Sequence, residues 1–134
     1  MKKSAIITGT GSGLGKELGK LLLNNNYNVI GLSRKNQITH PNFTFIKKDL
    51  SKKESIVKLN IPEIKLGHDI ILINNAADIG EITTINKKSK HTIISEFTLN
   101  IITPTILSHH IIKKYPNHNK LIINISSGAA NKPV

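Results

Sequence analysis

Apolar and polar positions fall in blocks along this chain. Short apolar runs recur at Ala5-Ile6-Ile7, at Val29-Ile30 to Leu32, at Phe43 to Ile46 and at Ile70-Ile71-Leu72-Ile73. Continuous runs of this length read as strands buried on both faces, the habit of parallel sheets. With Leu121-Ile122-Ile123 further on, they predict five strands, over 4–8, 28–33, 43–46, 69–73 and 120–125. Between the first two, Leu14, Leu18, Leu21 and Leu22 stand at helical spacing and predict a helix over 13–23. Three asparagines, 24–26, should stop it, because asparagine tolerates the left-handed conformation of a C-cap. A second helix is expected over 52–59. A long one begins near Ser89, with Ile93, Ile94, Phe97, Ile101 and Leu107 as a broad apolar face. Pro104 lies inside that helix and should bend it. Residues 80–88 are polar and read as a loop. Strands alternating with helices predict an α/β domain.

Length and composition narrow the class. The 134 residues suffice for one domain with a real core. There is no cysteine, which excludes a disulfide framework and thiolate metal sites and fits a reducing cytoplasm. Met1-Lys2-Lys3 and the apolar run after it are too short for a signal peptide, because Thr8-Gly9 breaks the run. No stretch is long enough to span a membrane. The formal charge is +11, but the lysines are scattered in pairs and few aromatics accompany them. The charge therefore reads as a solvated surface with attraction for a polyanionic cofactor, not as a nucleic-acid site. His109-His110 are adjacent and diverge on a helix, so they predict no metal site.

The stretch Thr8 to Gly15 reads Thr-Gly-Thr-Gly-Ser-Gly-Leu-Gly and sits where the first strand turns into the first helix. Free N–H groups and the positive end of the helix dipole make that corner a place for a pyrophosphate. Glycine permits close approach and positive φ there. A P-loop is excluded, because Glu17 follows Gly15-Lys16 and Thr10 stands at the first glycine position. A Gly-x-G-x-x-Gly form starting at Gly9 would place its last glycine on Leu14. The pattern present is Thr-Gly-x-x-x-Gly-x-Gly, with Gly9, Gly13 and Gly15. It resembles the short-chain dehydrogenase/reductase family, whose loop would place Gly9, Thr10, Gly11, Ser12, Gly13, Leu14 and Gly15 at the cofactor.

About twenty residues past such a loop, an acid usually holds the ribose 2′-OH of NAD. Here Ser33 is followed by Arg34 and Lys35, with no acid. A hydroxyl and a guanidinium suit a 2′-phosphate, which an acid would repel. The expected cofactor is therefore NADP(H).

Later motifs keep the family's order. Asp49-Leu50, after the third strand, resembles its adenine-binding position; Asp49 can equally cap the next helix, and both readings can hold. Asn74-Asn75-Ala76-Ala77 resembles its Asn-Asn-Ala-Gly motif, with Ala77 in place of glycine. Asn74 would tie neighbouring strands, and Asn75, Ala76 and Ala77 would line the nicotinamide ribose. Asn100 matches a helical asparagine that braces a water in the proton relay. Asn124-Ile125-Ser126-Ser127-Gly128 ends the fifth strand. The resemblance places the catalytic serine at Ser127, which would hydrogen-bond the substrate carbonyl and stabilise charge on its oxygen, with Ile125 in the cofactor site. The run Ile123 to Ala130 and the segment around Asn100 most resemble the sepiapterin reductase and benzil reductase branch, which reduces small dicarbonyl or pterin ketones with NADPH.

The family's proton donor, the tyrosine of Tyr-x-x-x-Lys, is not in this chain. Four residues past Tyr27 and Tyr115 stand Gly31 and Asn119, and both tyrosines precede Ser127. The resemblance therefore implies residues 1–134 as an NADP-binding, three-layer, doubly wound parallel sheet of the Rossmann-like kind, incomplete at its C-terminal end. The expected activity is hydride transfer between NADP(H) and a small-molecule carbonyl or hydroxyl substrate, with this chain inactive on its own. The alternative is a non-catalytic nucleotide-binding or pairing module. An uncovered sheet edge and the long helix predict a homo-oligomer, a dimer or tetramer.

Overall fold

The computed structural model describes residues 2–128 and residue 131. Five strands, β1 (Lys3–Thr8), β2 (Asn28–Ser33), β3 (Phe43–Lys47), β4 (Asp69–Asn74) and β5 (Lys120–Asn124), form one parallel sheet in the order β3-β2-β1-β4-β5. Helix α1 (Gly13–Asn24) covers one face. Helices α2 (Lys53–Val57) and α4 (Thr103–Lys114) cover the other, with α3 (Lys90–Phe97) leading into α4. This is the expected three-layer, doubly wound arrangement. Strand order reverses between β1 and β4, which opens a crevice beyond their C-terminal ends.

The three inner strands, β1, β2 and β4, are mostly buried because both their faces are covered, whereas the edge strands β3 and β5 are only partly covered. In β1, Ala5 and Ile7 join the core under α1, with Val29, Leu23 and Ile38. Ile6 points the other way, into the core with Leu32, Leu72, Leu107, Ile111 and Tyr115. A one-residue slip would exchange the two sets, so the register is tightly specified.

The stop at the asparagines is realised. Asn25 is the C-cap of α1, its Nδ2 donates to the Leu21 carbonyl at 2.8 Å, and Asn26 takes φ 64°. The leucine stripe is only half realised: Leu18 and Leu22 pack against the core under α1. Leu14 and Leu21 are exposed, while Gly15, Gly19 and Leu23 face the sheet. Glycines at this spacing let the helix pass close to the Gly9 loop and to Ile38. A Cβ at Gly15 would run into the Gly9 carbonyl, and one at Gly19 into Ile38.

Two helices depart from expectation. The second is only Lys53–Val57: Pro62 disfavours helix at Ile61, and Leu59, Ile61 and Ile64 instead enter the core from irregular backbone. The long helix is interrupted by a π-helical turn at Thr98–Ile102, and Pro104 lies in the first turn of α4, where proline is tolerated. The wide turn shifts the register of the buried face. Thr98, Thr103, Leu107 and Ile111 are buried, whereas Ile94, Phe97 and Ile101 are more than half exposed. The buried threonines satisfy their hydroxyls on backbone carbonyls, Thr98 on Ile94 at 2.8 Å and Thr103 on Leu50 at 2.7 Å. Among the described residues, no helix is long and apolar enough to cross a membrane.

Candidate functional site

A cavity of about 550 Å³ opens at the strand-order reversal. Its floor is the β1–α1 corner: Gly9, Gly11, Ser12, Gly13 and Leu14 line it. Gly9 and Gly13 have φ of 79° and 52°. A Cβ at Gly9 would strike Asn75 and Ala76, and beside Gly13 the space is open. Ser12 precedes α1 in extended conformation and makes no side-chain cap, so the first-turn N–H groups keep their capacity for an anion. Thr10 and Gly15 belong to the corner but do not line the cavity. Thr10 is buried with Oγ1 3.4 Å from Ser33 Oγ, and Gly15 packs against Gly9.

The ends of β2 and β3 form one flank. Ser33, Arg34, Lys35 and Lys48 line it. Ser33 is buried, and its hydroxyl donates to the Lys35 carbonyl at 2.7 Å, so its proton shapes the turn. The cationic surface comes from Arg34, Lys35 and Lys48. Lys48 was not singled out from sequence, yet strand register points to it. Ser33 pairs with Lys47, and the Lys48 amide donates to the Ser33 carbonyl at 2.9 Å, so Lys48 must emerge beside Arg34.

Asp49, Leu50 and Ser51 continue that flank. Asp49 Oδ1 accepts from the Ser51 hydroxyl at 2.6 Å and from the Ser51 amide at 3.1 Å. The Ser51 hydroxyl above all, then its amide and the Lys52 and Arg34 charges, hold the Asp49 carboxyl below the usual carboxylate range against the opposing effect of burial. Asp49 therefore closes a local turn on Ser51 and does not cap α2, whose N-cap is Lys52 with no side-chain cap; the residue borders the cavity.

The opposite flank is the exit of β4. Asn75, Ala76, Ala77 and Asp78 line it, with Ser95 and Leu99 from the helix above. Asn74 Nδ2 donates to Asn124 Oδ1 at 2.8 Å, tying β4 to β5 as expected. Thr8 fixes the next two residues: its Oγ1 accepts the amides of Asn75 and Ala76, each at 2.9 Å. Thr8 opens the glycine pattern in the sequence, but this role depends on β4 lying beside β1, which the pattern does not contain.

Asn100 does not line the cavity. It accepts the Asp78 amide at 2.9 Å and donates to the Asp78 carbonyl at 2.7 Å, so its side chain holds the segment after Ala77. The Ile125 amide donates to the Asn74 carbonyl at 3.0 Å, carrying the chain past the end of β4. Ser127 is exposed there and is not in the cavity wall. Ala129 and Ala130 lie outside the described residues. Tyr115 is in the core, and its hydroxyl donates to the Pro62 carbonyl at 2.9 Å. Burial first, and Glu63 second, push its phenol up to about 12. Among the described residues, no three His, Asp or Glu side chains group as a metal site.

The comparisons with known proteins agree with this geometry. The family model for short chain dehydrogenase matches residues 3–134. The benzil reductase ((S)-benzoin forming) of Bacillus cereus is 34% identical, the match covering 96% of this chain and 57% of that protein. This chain thus spans just over half the length of that relative. A short-chain dehydrogenase/reductase from Burkholderia vietnamiensis superposes with a TM-score of 0.86 at 22% identity, over 99% of this chain and 67% of its own. A 4-hydroxyisoleucine dehydrogenase complexed with NADH superposes with a TM-score of 0.76 at 28% identity, over 99% and 59%. A glycine corner of this spacing under a β1–β4 crevice, and a family match along nearly the whole chain, lead to one conclusion: the chain belongs to the short-chain dehydrogenase family.

Proposed function

We propose that residues 1–134 form the dinucleotide-binding part of an NADP(H)-dependent oxidoreductase acting on a small carbonyl or hydroxyl substrate. The observation that carries this reading is the flank of Arg34, Lys35 and Lys48 beside an uncapped glycine corner, with no acid at the end of β2. In it, the Gly9–Gly15 loop binds the pyrophosphate, and Arg34 with its two lysine neighbours binds the 2′-phosphate. Asp49 and Leu50 hold the adenine, while Asn75, Ala76, Ala77 and Ile125 border the nicotinamide ribose. Bound NADPH supplies a hydride. Ser127 orients the substrate carbonyl and stabilises negative charge on its oxygen. Asn100 keeps the segment at Asp78 in place and, by family resemblance, braces a relay water.

The similarity to a benzil reductase supports a dicarbonyl substrate. The exposed stripe of Ile94, Phe97 and Ile101 supports self-association, because contiguous apolar surface in water marks a contact face. Titration with NADPH and NADH tests the cofactor. Tighter binding of NADPH is expected; equal affinities remove the 2′-phosphate argument, and failure to bind either removes the whole reading.

A second reading, a non-catalytic nucleotide-binding or pairing module, has one specific observation behind it. Neither tyrosine has a lysine four places on, and Tyr115 spends its proton in the core. Under either reading, these 134 residues alone supply no proton donor and do not oxidise NADPH against diketones. A longer gene product that does so would decide for the enzyme.

A further inference from the structure

Directly after Ala77 the chain enters a loop with three exposed isoleucines, Ile79, Ile82 and Ile85. Apolar side chains that face water do little to hold a loop. Its position rests on polar contacts, and three of these converge on one carboxylate. Glu96 Oε1, in α3, accepts the Glu81 amide at 3.2 Å near the start of the loop. At its far end, Lys88 Nζ donates to Glu96 Oε1 at 2.9 Å and to Oε2 at 2.8 Å. Both side chains are only 15% exposed, so water and salt screen this pair less than a surface pair. Gly80, at φ 71°, passes so near the Glu96 carboxylate that a Cβ there would collide with it. One turn further along the same helical run, Asn100 grips the Asp78 peptide at both its N–H and its carbonyl. Ala77 and Asp78 line the cavity, as do Ser95 and Leu99, the neighbours of Glu96 and Asn100 in sequence.

We propose that Glu96 is a positioning residue: by gathering both ends of the 81–88 loop onto α3, it fixes the Ala76–Asp78 wall of the cavity. This rests on the dinucleotide reading, in which that wall serves the nicotinamide half of the cofactor. A carboxylate suits the task because its two oxygens can accept from several donors at once. An apolar residue would leave the mostly buried Lys88 ammonium without this partner.

The test compares two ligands, NADPH and 2′,5′-ADP, the second lacking the nicotinamide half. Binding is measured for the unaltered protein, Glu96→Ala, Glu96→Gln and Lys88→Met. Glu96→Ala is expected to weaken NADPH about tenfold while 2′,5′-ADP stays within about twofold. Glu96→Gln, whose amide oxygen still accepts from Glu81, recovers most of the loss. Equal weakening of both ligands would show general destabilisation and overturn the proposal, as would unchanged NADPH binding. Should Glu96→Ala lose its fold by circular dichroism, the same ligand comparison in Lys88→Met decides. If the unaltered protein binds neither ligand, the dinucleotide reading falls and takes this proposal with it. If it binds both without dependence on Glu96 or Lys88, only the positioning role falls.

Discussion

The Thr8 hydroxyl accepts the Asn75 amide at 2.9 Å, joining the glycine corner to the exit of β4. The same oxygen accepts the Ala76 amide at 2.9 Å, and Asn75 Nδ2 returns a bond to the Thr8 carbonyl at 3.1 Å. Thr8 is 2% exposed, so water cannot readily replace these contacts. Thr8→Val keeps the shape and removes the acceptor, leaving two amides unpaired. A loss of about 2–4 kcal/mol in urea unfolding is expected, with Thr8→Ser recovering most of it. A valine variant within about 0.5 kcal/mol of the parent would mean that the two flanks of the cavity are held by other contacts.

Arg34 separates the two nicotinamide cofactors if the cationic flank has the role proposed. Arg34→Ser should weaken NADPH about 10- to 100-fold, the range of one charge-assisted contact, and leave NADH nearly unchanged. Lys48→Met should act in the same direction with a smaller effect, since a lysine offers a point charge without a planar fork. NADPH affinity should also fall as salt rises, because Arg34 and Lys35 are exposed and therefore screened. A parallel loss for both cofactors would place these side chains elsewhere than at the 2′-phosphate.

What the sequence made legible, and what it did not, follows from how local each cause is. The strands are local: a run buried on both faces leaves no polar position, so Ile70 to Ile73 announces itself. The glycine corner is local too, since its spacing answers to one turn geometry. The faces of the helices are not. Leu18 and Leu22 pack on the core as their spacing implies, but Leu14 and Leu21 are exposed, and Gly15, Gly19 and Leu23 take the buried places, the two glycines against the Gly9 loop and Ile38. Ile94, Phe97 and Ile101 fell off the core face because a π-turn re-phased the helix, and two threonines with internal hydrogen bonds took the buried places. Lys48 needed strand register. Glu96 needed a loop folded back onto α3, and nothing near it in the chain foretells that.

His68 should give folding stability a pH dependence. It is 4% exposed, with Nδ1 2.9 Å from Ser4 Oγ. Burial first, then the charges of Lys2, Lys65 and His118, lower its pKa. The unfolded chain takes up this proton near pH 6.5, and the folded chain only at lower pH. Between those values the unfolded state binds more protons, so stability rises with pH. It is fully present above about pH 6.5 and is lost as pH falls toward the folded value. His110, lowered by burial and by Lys114 and His109, adds the same sign. Thermal midpoints across pH 5–7.5 should therefore fall on the acid side, and His68→Gln should flatten the slope. An unchanged slope in that variant would assign the effect to His110 or to other groups.

The stripe of Ile94, Phe97 and Ile101 makes self-association measurable. These residues are 65%, 58% and 53% exposed, and leaving them in water forgoes roughly 25 cal/mol for each Å² of apolar surface that a partner could cover. None of the three lines the cavity, so their substitution separates assembly from cofactor binding. Phe97→Lys with Ile101→Lys places two ammonium groups on the face, and both would have to be desolvated for two copies to meet there. Light scattering should show the unaltered protein larger than a monomer and the double variant shifted toward one, with NADPH affinity kept within about twofold. A monomeric parent would remove the stripe as a self-contact. An oligomer indifferent to the two lysines would move the contact to another surface, with the exposed Leu121 of β5 the next position to substitute.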